Sequence, residues 1–245
     1  MNATATHPYN YKAFSFSQKP AEMEHWQRCG VQLGEVAPEF ELADIHGRSV
    51  RLRDLAGGPV VLEFGSYTCP IFCGRIAAME QLAQDFPEVQ FLVVYIREAH
   101  PGEVIGPHRS PADKRRTVRL LLREETIRRR VLIDSVDGGV HRLYGGAWNP
   151  VYVLNAAGVI VLRRAWNEPD QVRSTLQDLR SGRNPAAMET TDMGSPVYRR
   201  PLGFALLRGG RQALLDFYLS APPPVREMLR GSATPEVTKI VSRAG

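Results

Sequence analysis

Apolar positions along the chain follow two regimes: short unbroken runs, and longer stretches where they return every three or four residues. Val60, Val61, Leu62 and Phe64 form the clearest run and predict a buried strand. Ser66 to Pro70 then supply turn and N-cap chemistry, and Ile76, Met79, Leu82 and Phe86 recur at helical spacing. The same reading predicts a strand over 59–64, a helix over 70–85, a strand over 89–96, a long loop through Ser110 and a helix over 111–125. A strand over 131–134, a short helical piece near 138–144, strands over 151–155 and 159–164 and a helix over 168–180 complete the series. Upstream, PEFELADIHGRSVRLRDLAGG reads as a hairpin turning at His46 and Gly47, and Asn155 to Gly158 turn one later strand into the next.

Strand–helix–strand units, a strand hairpin and a closing helix predict an α/β fold, a mixed central sheet flanked by helices on both faces. That order is thioredoxin-like. Residues 1–35 are polar and irregular, 36–180 carry the predicted fold, and 181–245 form a C-terminal extension. The extension opens with RSGRNPAAMETTDMGSPVYRRP, rich in turn formers, which reads as a linker or surface wrap. Leu206, Leu207, Leu214, Leu215, Phe217, Tyr218 and Leu219 then suggest a short apolar helical patch, ended by Pro222 to Pro224. Such a patch requires a covering surface: the domain itself, a second copy in a homodimer, or the functional site beneath a lid.

Composition narrows the class. With 43% hydrophobic and 23% charged residues in 245, the chain is an ordinary globular one with room for one sizeable core. No apolar run reaches the ~18 residues of a membrane span, and the N-terminus lacks a signal-peptide core, so the expected location is cytoplasmic, with no membrane partner. Three cysteines are too few for a disulfide framework. The net charge of +5 is concentrated between Lys114 and Arg130, where Arg115, Arg119 and Arg123 share a helix face. Aromatics are absent between those arginines, and Glu124 and Glu125 interrupt the run. It therefore reads as a solvated helix face rather than a nucleic-acid site.

Chemistry gathers at two places. Cys69, followed by Pro70, sits where the predicted helix starts, and there the free N–H groups and the helix dipole favour a thiolate with a pKa below ~8.5. Cys73 lies four residues on, on the same helix face, either as a resolving thiol or as a small buried residue. The second cluster follows the next strand: Tyr95, Arg97, Glu98 and His100, then His108, Arg109 and Ser110. His100 is a candidate proton carrier, with Glu98 or Tyr95 to orient it. Ligands in open α/β sheets bind beyond the carboxyl ends of the parallel strands, where both clusters would project. Asn149 and Pro150 open a later strand, and the topology predicts a cis Asn149–Pro150 bond facing the nucleophile.

FGSYTCPIF, VYIREAHP, PHRS and the YGG preceding VYVL resemble the iodothyronine deiodinase family, in the same order over residues 36–180. The resemblance implies that Cys69 is the nucleophile, at the position where the family carries selenocysteine. It assigns Ser66 and Thr68 to the hydroxyls flanking that nucleophile, and Tyr95, Glu98, His100 and His108 to proton relay or substrate contact. It implies reductive dehalogenation: attack on an aryl iodine, proton delivery to the ring carbon and a thiol-dependent reset. Arg97 departs from the family's acidic residue, and Pro150 stands where the family has an arginine for the substrate carboxylate.

The expectation is a thiol-dependent oxidoreductase with no bound cofactor, in which Cys69 attacks a small soft electrophile, an aryl iodide, peroxide or disulfide. Cys73 or an external thiol of the thioredoxin or glutathione kind resets it. Catalysis falls to Cys69, Cys73, His100, Glu98, Thr68 and Ser66, and substrate binding to Tyr95, His108, Arg109, Asn149 and Pro150. Three alternatives remain open. One is a peroxiredoxin-like peroxidase. Another is a copper module in which Cys69 and Cys73 join His100, His108 or His141. The third is a catalytically silent interaction domain.

Overall fold

In the computed structural model, which describes residues 9–183, 185, 188–190 and 202–243, the apolar runs become adjacent strands. The central strands are β3 (Val60–Gly65), β4 (Gln90–Tyr95) and β5 (Arg130–Ile133), all parallel. Strand β6 (Val151–Leu154) pairs antiparallel with β3, and β7 (Ile160–Arg164) antiparallel with β6. The hairpin of β1 (Glu41–Asp44) and β2 (Ser49–Arg51) adds to β5, turning at His46 and Gly47 as expected. With β8 (Met188–Thr190) beside β7, the order among the described residues is β2-β1-β5-β4-β3-β6-β7-β8. Its β4-β3-β6-β7 centre is the thioredoxin-like arrangement.

The pleat sorts the core. Val61, Val151 and Val153 pack with Met79, Leu82, Val172 and Leu176, while Val93 and Val131 meet Phe72, Ile76, Val118 and Leu121. This face lies under α2 (Pro70–Asp85), α3 (Pro111–Glu124) and α5 (Pro169–Arg180). Leu62, Phe64, Leu92, Val94 and Tyr152 point the other way, onto α4 (Gly139–Leu143) and the segment from Val31 to Leu52. Complete burial of side chains such as Leu62 and Phe64 stabilises the fold by about 1.5–3 kcal/mol each.

Three expectations need correction. The first is that residues 1–35 are irregular throughout, whereas they contain α1 (Lys19–Arg28), which buries only Trp26 and so shows no apolar period. Arg163 secures it, stacking 3.7 Å from the Trp26 ring centroid and donating from Nε to the Val31 carbonyl at 2.9 Å.

The second is the single apolar patch of the extension, which becomes α6 (Leu202–Gly209), α7 (Arg211–Ser220), α8 (Pro223–Gly231) and α9 (Pro235–Val241). Gly210, at φ 110°, separates the first two. Leu206, Leu214, Phe217 and Tyr218 join Tyr11, Phe14, Leu229 and Ile240 in a second small core, and Leu219 stays exposed. Most of the expected linker, 191–201 in particular, lies outside the described residues.

The third is the Asn149–Pro150 bond, which is trans. Asn149 O accepts from Asn167 N at 2.8 Å and Pro150 O from Phe64 N at 2.9 Å, so both sides of this peptide are held extended by pairing.

The basic run divides. Arg115, Arg116, Arg119, Arg123, Arg128 and Arg130 are exposed, but Lys114 and Arg129 are buried. Arg129 joins Glu63 and Glu80, and Lys114 donates from Nζ to Ser135 O at 2.9 Å. Among the described residues no helix is long and apolar enough to cross a membrane.

Candidate active site

Strand β3 ends at Gly65, and four residues later Cys69 forms the N-cap of α2, with φ −85° and ψ 110°. Pro70 takes the first helical position, where its missing N–H costs nothing, and Cys69 Sγ accepts the Phe72 N–H at 3.5 Å. Gly65 is required there by packing: a Cβ would fall 2.2 Å from the Phe72 ring.

The thiol opens onto a largely apolar cavity. Lys19 and His100 are the other ionisable side chains in its lining, and Phe14, Phe16, Trp148, Trp166 and Phe217 supply aromatic walls. Val225 and Met228 of α8 complete the roof. The C-terminal extension therefore packs back on the domain and also covers the thiol, combining two of the expected roles.

This covering overturns the expectation of a depressed thiol pKa. Cys69 is 2% exposed, and burial pushes its pKa up to about 11. The N–H groups of Phe72 and Ile71 and the charges of Lys19 and Arg75 oppose that shift without reversing it. Cys73 points elsewhere: its thiol donates to Tyr67 O at 3.4 Å and accepts from Arg208 at 3.1 Å, and burial raises its pKa strongly.

Behind the cavity wall, Glu98 organises the loop after β4. Its carboxylate accepts from Thr68 N at 2.9 Å, Thr68 Oγ1 at 2.7 Å and the Tyr95 hydroxyl, and pairs with His108 Nε2 at 3.1 Å. Burial alone would raise the Glu98 pKa, but the His108 bond and charge, with Tyr95 and Thr68, hold it below its ordinary value. Ser66 Oγ accepts from Ala99 N at 3.1 Å and Thr68 Oγ1 from His100 N at 3.0 Å. These hydroxyls clamp the loop to the start of α2.

His100 is thus carried to the cavity by its backbone. Its ring lies 4.3 Å from Phe14 and 5.3 Å from Phe217, with Nδ1 buried and unbonded. Burial, reinforced by Lys19, drives its pKa well below the usual histidine value, so the ring is neutral. Of the two groups expected to orient His100, Glu98 pairs with His108 instead and Tyr95 donates its hydroxyl to Glu98.

Cys69 and His100 therefore share the cavity, and Ser66, Thr68, Glu98, Tyr95 and His108 form the buried support beneath them. The remaining predicted binding residues stand apart. Arg109 is exposed at the start of α3, with its N–H on Asp113 at 3.3 Å. Asn149 is fully buried and donates from Nδ2 to Phe64 O, and Pro150 continues into β6, so both join strands. His141 spends both ring nitrogens, on Tyr9 OH at 2.9 Å and Ala147 O at 2.6 Å. Among the described residues no three His, Cys, Asp or Glu side chains gather where they could hold a metal, so the copper set is not assembled.

The sequence reading missed Lys19, Trp148 and Trp166. Lys19 sits in a segment without period. The tryptophans carried a signal, because Ala147-Trp148-Asn149 and Ala165-Trp166-Asn167 repeat one tripeptide. Asn149 and Trp166 form a parallel bridge, and the two indoles stack at 4.8 Å.

The description of the iodothyronine deiodinases as a family matches residues 8–179. Thyroxine 5-deiodinases of Sparus aurata and Gallus gallus are each 32% identical over 143 residues, covering 53% of this chain and 53% and 55% of theirs. The chain thus spans about half the length of the curated relatives it matches. Two solved structures share the fold. A hypothetical protein, SMc02350 of Sinorhizobium meliloti 1021, superposes with TM-score 0.54 at 14% identity over 66% of this chain and 91% of its own. An uncharacterized conserved protein of Geobacillus kaustophilus gives TM-score 0.52 at 20% identity over 65% and 87%. With the family pattern matched from residue 8 to residue 179, across the Cys69 helix start and the Glu98 loop alike, the chain belongs to the iodothyronine deiodinase family.

Proposed function

We propose that the protein is a thiol-dependent oxidoreductase that removes iodine from an aromatic ring, with Cys69 as nucleophile. The observation that supports this most directly is the placement of Cys69 and a neutral His100 in one cavity walled by aromatic side chains. A flat aryl iodide suits that lining. Five aromatic side chains in the lining present ring faces against which such a ring can stack.

Attack by Cys69 sulfur on iodine forms an S–I bond, and the C–I electron pair goes to the ring carbon, which takes a proton. The thiol proton of Cys69 is the one released, and His100 is the group placed to carry it across the cavity. An external thiol then attacks the S–I sulfur, expelling iodide and forming a mixed disulfide. A second thiol restores Cys69 and leaves as the oxidised disulfide. The sum is one aryl iodide and two thiols giving one arene, one hydrogen iodide and one disulfide. Cys73 is the slower route of reset, because it would have to leave Tyr67 O and Arg208 and loosen the first turn of α2.

The test is iodide release from an iodinated phenol with excess dithiol in anaerobic buffer. Wild type is expected to release iodide and Cys69→Ser to release none, while Cys73→Ser keeps activity within about threefold. Equal release by wild type and Cys69→Ser would refute the assignment.

A further inference from the structure

Lys19 enters the cavity from α1, far in sequence from Cys69. Its Nζ lies 4.1 Å from the Trp148 ring centroid, 4.6 Å from Trp166, 5.1 Å from Phe14 and 5.5 Å from Phe16. Ring faces attract an ammonium, but they supply no counter-charge. Glu22, one turn further along α1, is committed elsewhere: it pairs with Arg97 at 3.1 Å and accepts the indole N–H of Trp148. Among the described residues no carboxylate makes an ion pair with Lys19. Burial accordingly lowers its pKa to about 8, with Glu22 and Cys69 pulling the other way, which leaves the ammonium predominant at neutral pH.

The surroundings also have a sign. Lys19 is the charged side chain of the cavity, where His100 is neutral. A more open groove continues outward past Lys19, Trp148 and Trp166 to Pro20, Met23, Ser220 and Pro222, and its lining contains no Asp or Glu. A ligand carboxylate entering by this route finds an ammonium that no carboxylate of the described residues pairs with. A ligand ammonium finds no carboxylate in either lining and meets the like charge of Lys19.

We propose that Lys19 is the specificity-determining residue of the Cys69 cavity, binding the carboxylate of an aryl-alkanoic acid and selecting such acids over the corresponding aromatic amino acids. This rests on the reading that the cavity receives an aromatic substrate, but it adds a charge requirement that the dehalogenation chemistry does not impose. The aromatic ring packs among Trp148, Phe14 and Phe217, toward Cys69. The acid group stays on Lys19 at the junction with the outer groove. A zwitterionic amino acid presents the same carboxylate together with an ammonium that has no carboxylate to pair with in either lining and stands near the like charge of Lys19.

Binding tests this without turnover. Three iodine-free probes, 3-(4-hydroxyphenyl)propionate, its primary amide and tyrosine, are titrated by calorimetry and tryptophan fluorescence against the full chain. Wild type is expected to bind the acid at least about tenfold more tightly than either of the others. Lys19→Met should erase the preference and Lys19→Arg should keep it, with circular dichroism and melting curves confirming that both variants fold. Equal affinity for acid and amide in wild type, a preference that survives Lys19→Met, or no binding of the acid would each overturn the proposal. If the preference holds while iodide release fails, the dehalogenation reading falls and the charge selection stands.

Discussion

A guanidinium nitrogen of Arg208 lies 3.1 Å from the sulfur of Cys73, joining the C-terminal helices to the first turn of α2. The same side chain donates to Tyr67 O at 3.1 Å, pairs with Glu125 at 2.5 Å and covers the Tyr67 ring at 4.3 Å. One buried arginine therefore holds α6, α2 and the end of α3 together beside Cys73.

Arg208→Met should accordingly loosen the roof. Removing one partner from a buried ion pair is destabilising, here by about 3 kcal/mol. Iodoacetamide labelling of Cys73, read by mass spectrometry, should accelerate about tenfold or more as α6 opens locally. Unchanged labelling would show that Arg208 does not secure this helix.

The burial of Cys69 sets a pH signature. With the thiol raised to about 11, roughly one molecule in ten thousand carries thiolate at pH 7. Alkylation of Cys69 should climb about tenfold per pH unit from 7 to beyond 9, where an exposed cysteine levels off near ~8.5. Lys19 lowers this pKa, so Lys19→Met should move the curve further up. Because the folded value exceeds the unfolded one, the stability contributed by this thiol is complete below ~8.5 and lost as pH climbs toward 11. A plateau below pH 8 would contradict the buried thiol.

Glu98 acts in the opposite range. Its folded pKa is lowered, so the stability contributed by its carboxylate is present above the unfolded value of ~4.3 and lost as pH falls through the folded one. Glu98→Gln presents N–H groups to donors already aimed at it and should cost about 2–3 kcal/mol at pH 7. Urea titrations from pH 3 to 7 should show a shallower acid slope for the variant. An unaltered slope would remove Glu98 from the acid response.

The strands and helices of the central fold were legible because apolar runs and helical periods survive in the sequence wherever one sheet face is covered. Val60 to Gly65 and Pro70 to Asp85 lie within a residue of expectation. Cys69 was legible from the Cys-Pro start, and Glu98 with His100 from the loop that must follow β4. Their environment was not. Much of the lining over the thiol comes from 14–19, from 148 and 166 and from 217–228, and no local pattern announces that segments so far apart will meet over one helix N-terminus. The partner of Glu98 was equally hidden, since His100 and His108 stand in one loop and only the fold decides which ring reaches the carboxylate.

The packing of the C-terminal helices on the His100 loop rests on glycine, which yields a paired test. Gly209, the last residue of α6, approaches the His100 loop backbone to backbone: a Cβ there would fall 2.4 Å from His100 O and 2.7 Å from Ala213 Cβ. Val104 N donates to Gly209 O at 3.0 Å, and Glu103 caps α7 by accepting from Arg211 N at 2.7 Å. A carbonyl fixed within a hydrogen-bonded loop cannot swing aside as a flexible side chain can, so either the loop or the helix must shift. Gly209→Ala is therefore expected to destabilise the protein by about 1–3 kcal/mol and to speed alkylation of Cys69 as the roof lifts. Gly231, at the end of α8, is the control, because a Cβ there meets nothing within 4 Å. Gly231→Ala should be neutral or stabilising by up to about 1 kcal/mol, since alanine loses less backbone freedom in a helix. If both substitutions prove equally mild, the extension does not bear on the His100 loop, and the closed Cys69 cavity would need another cause.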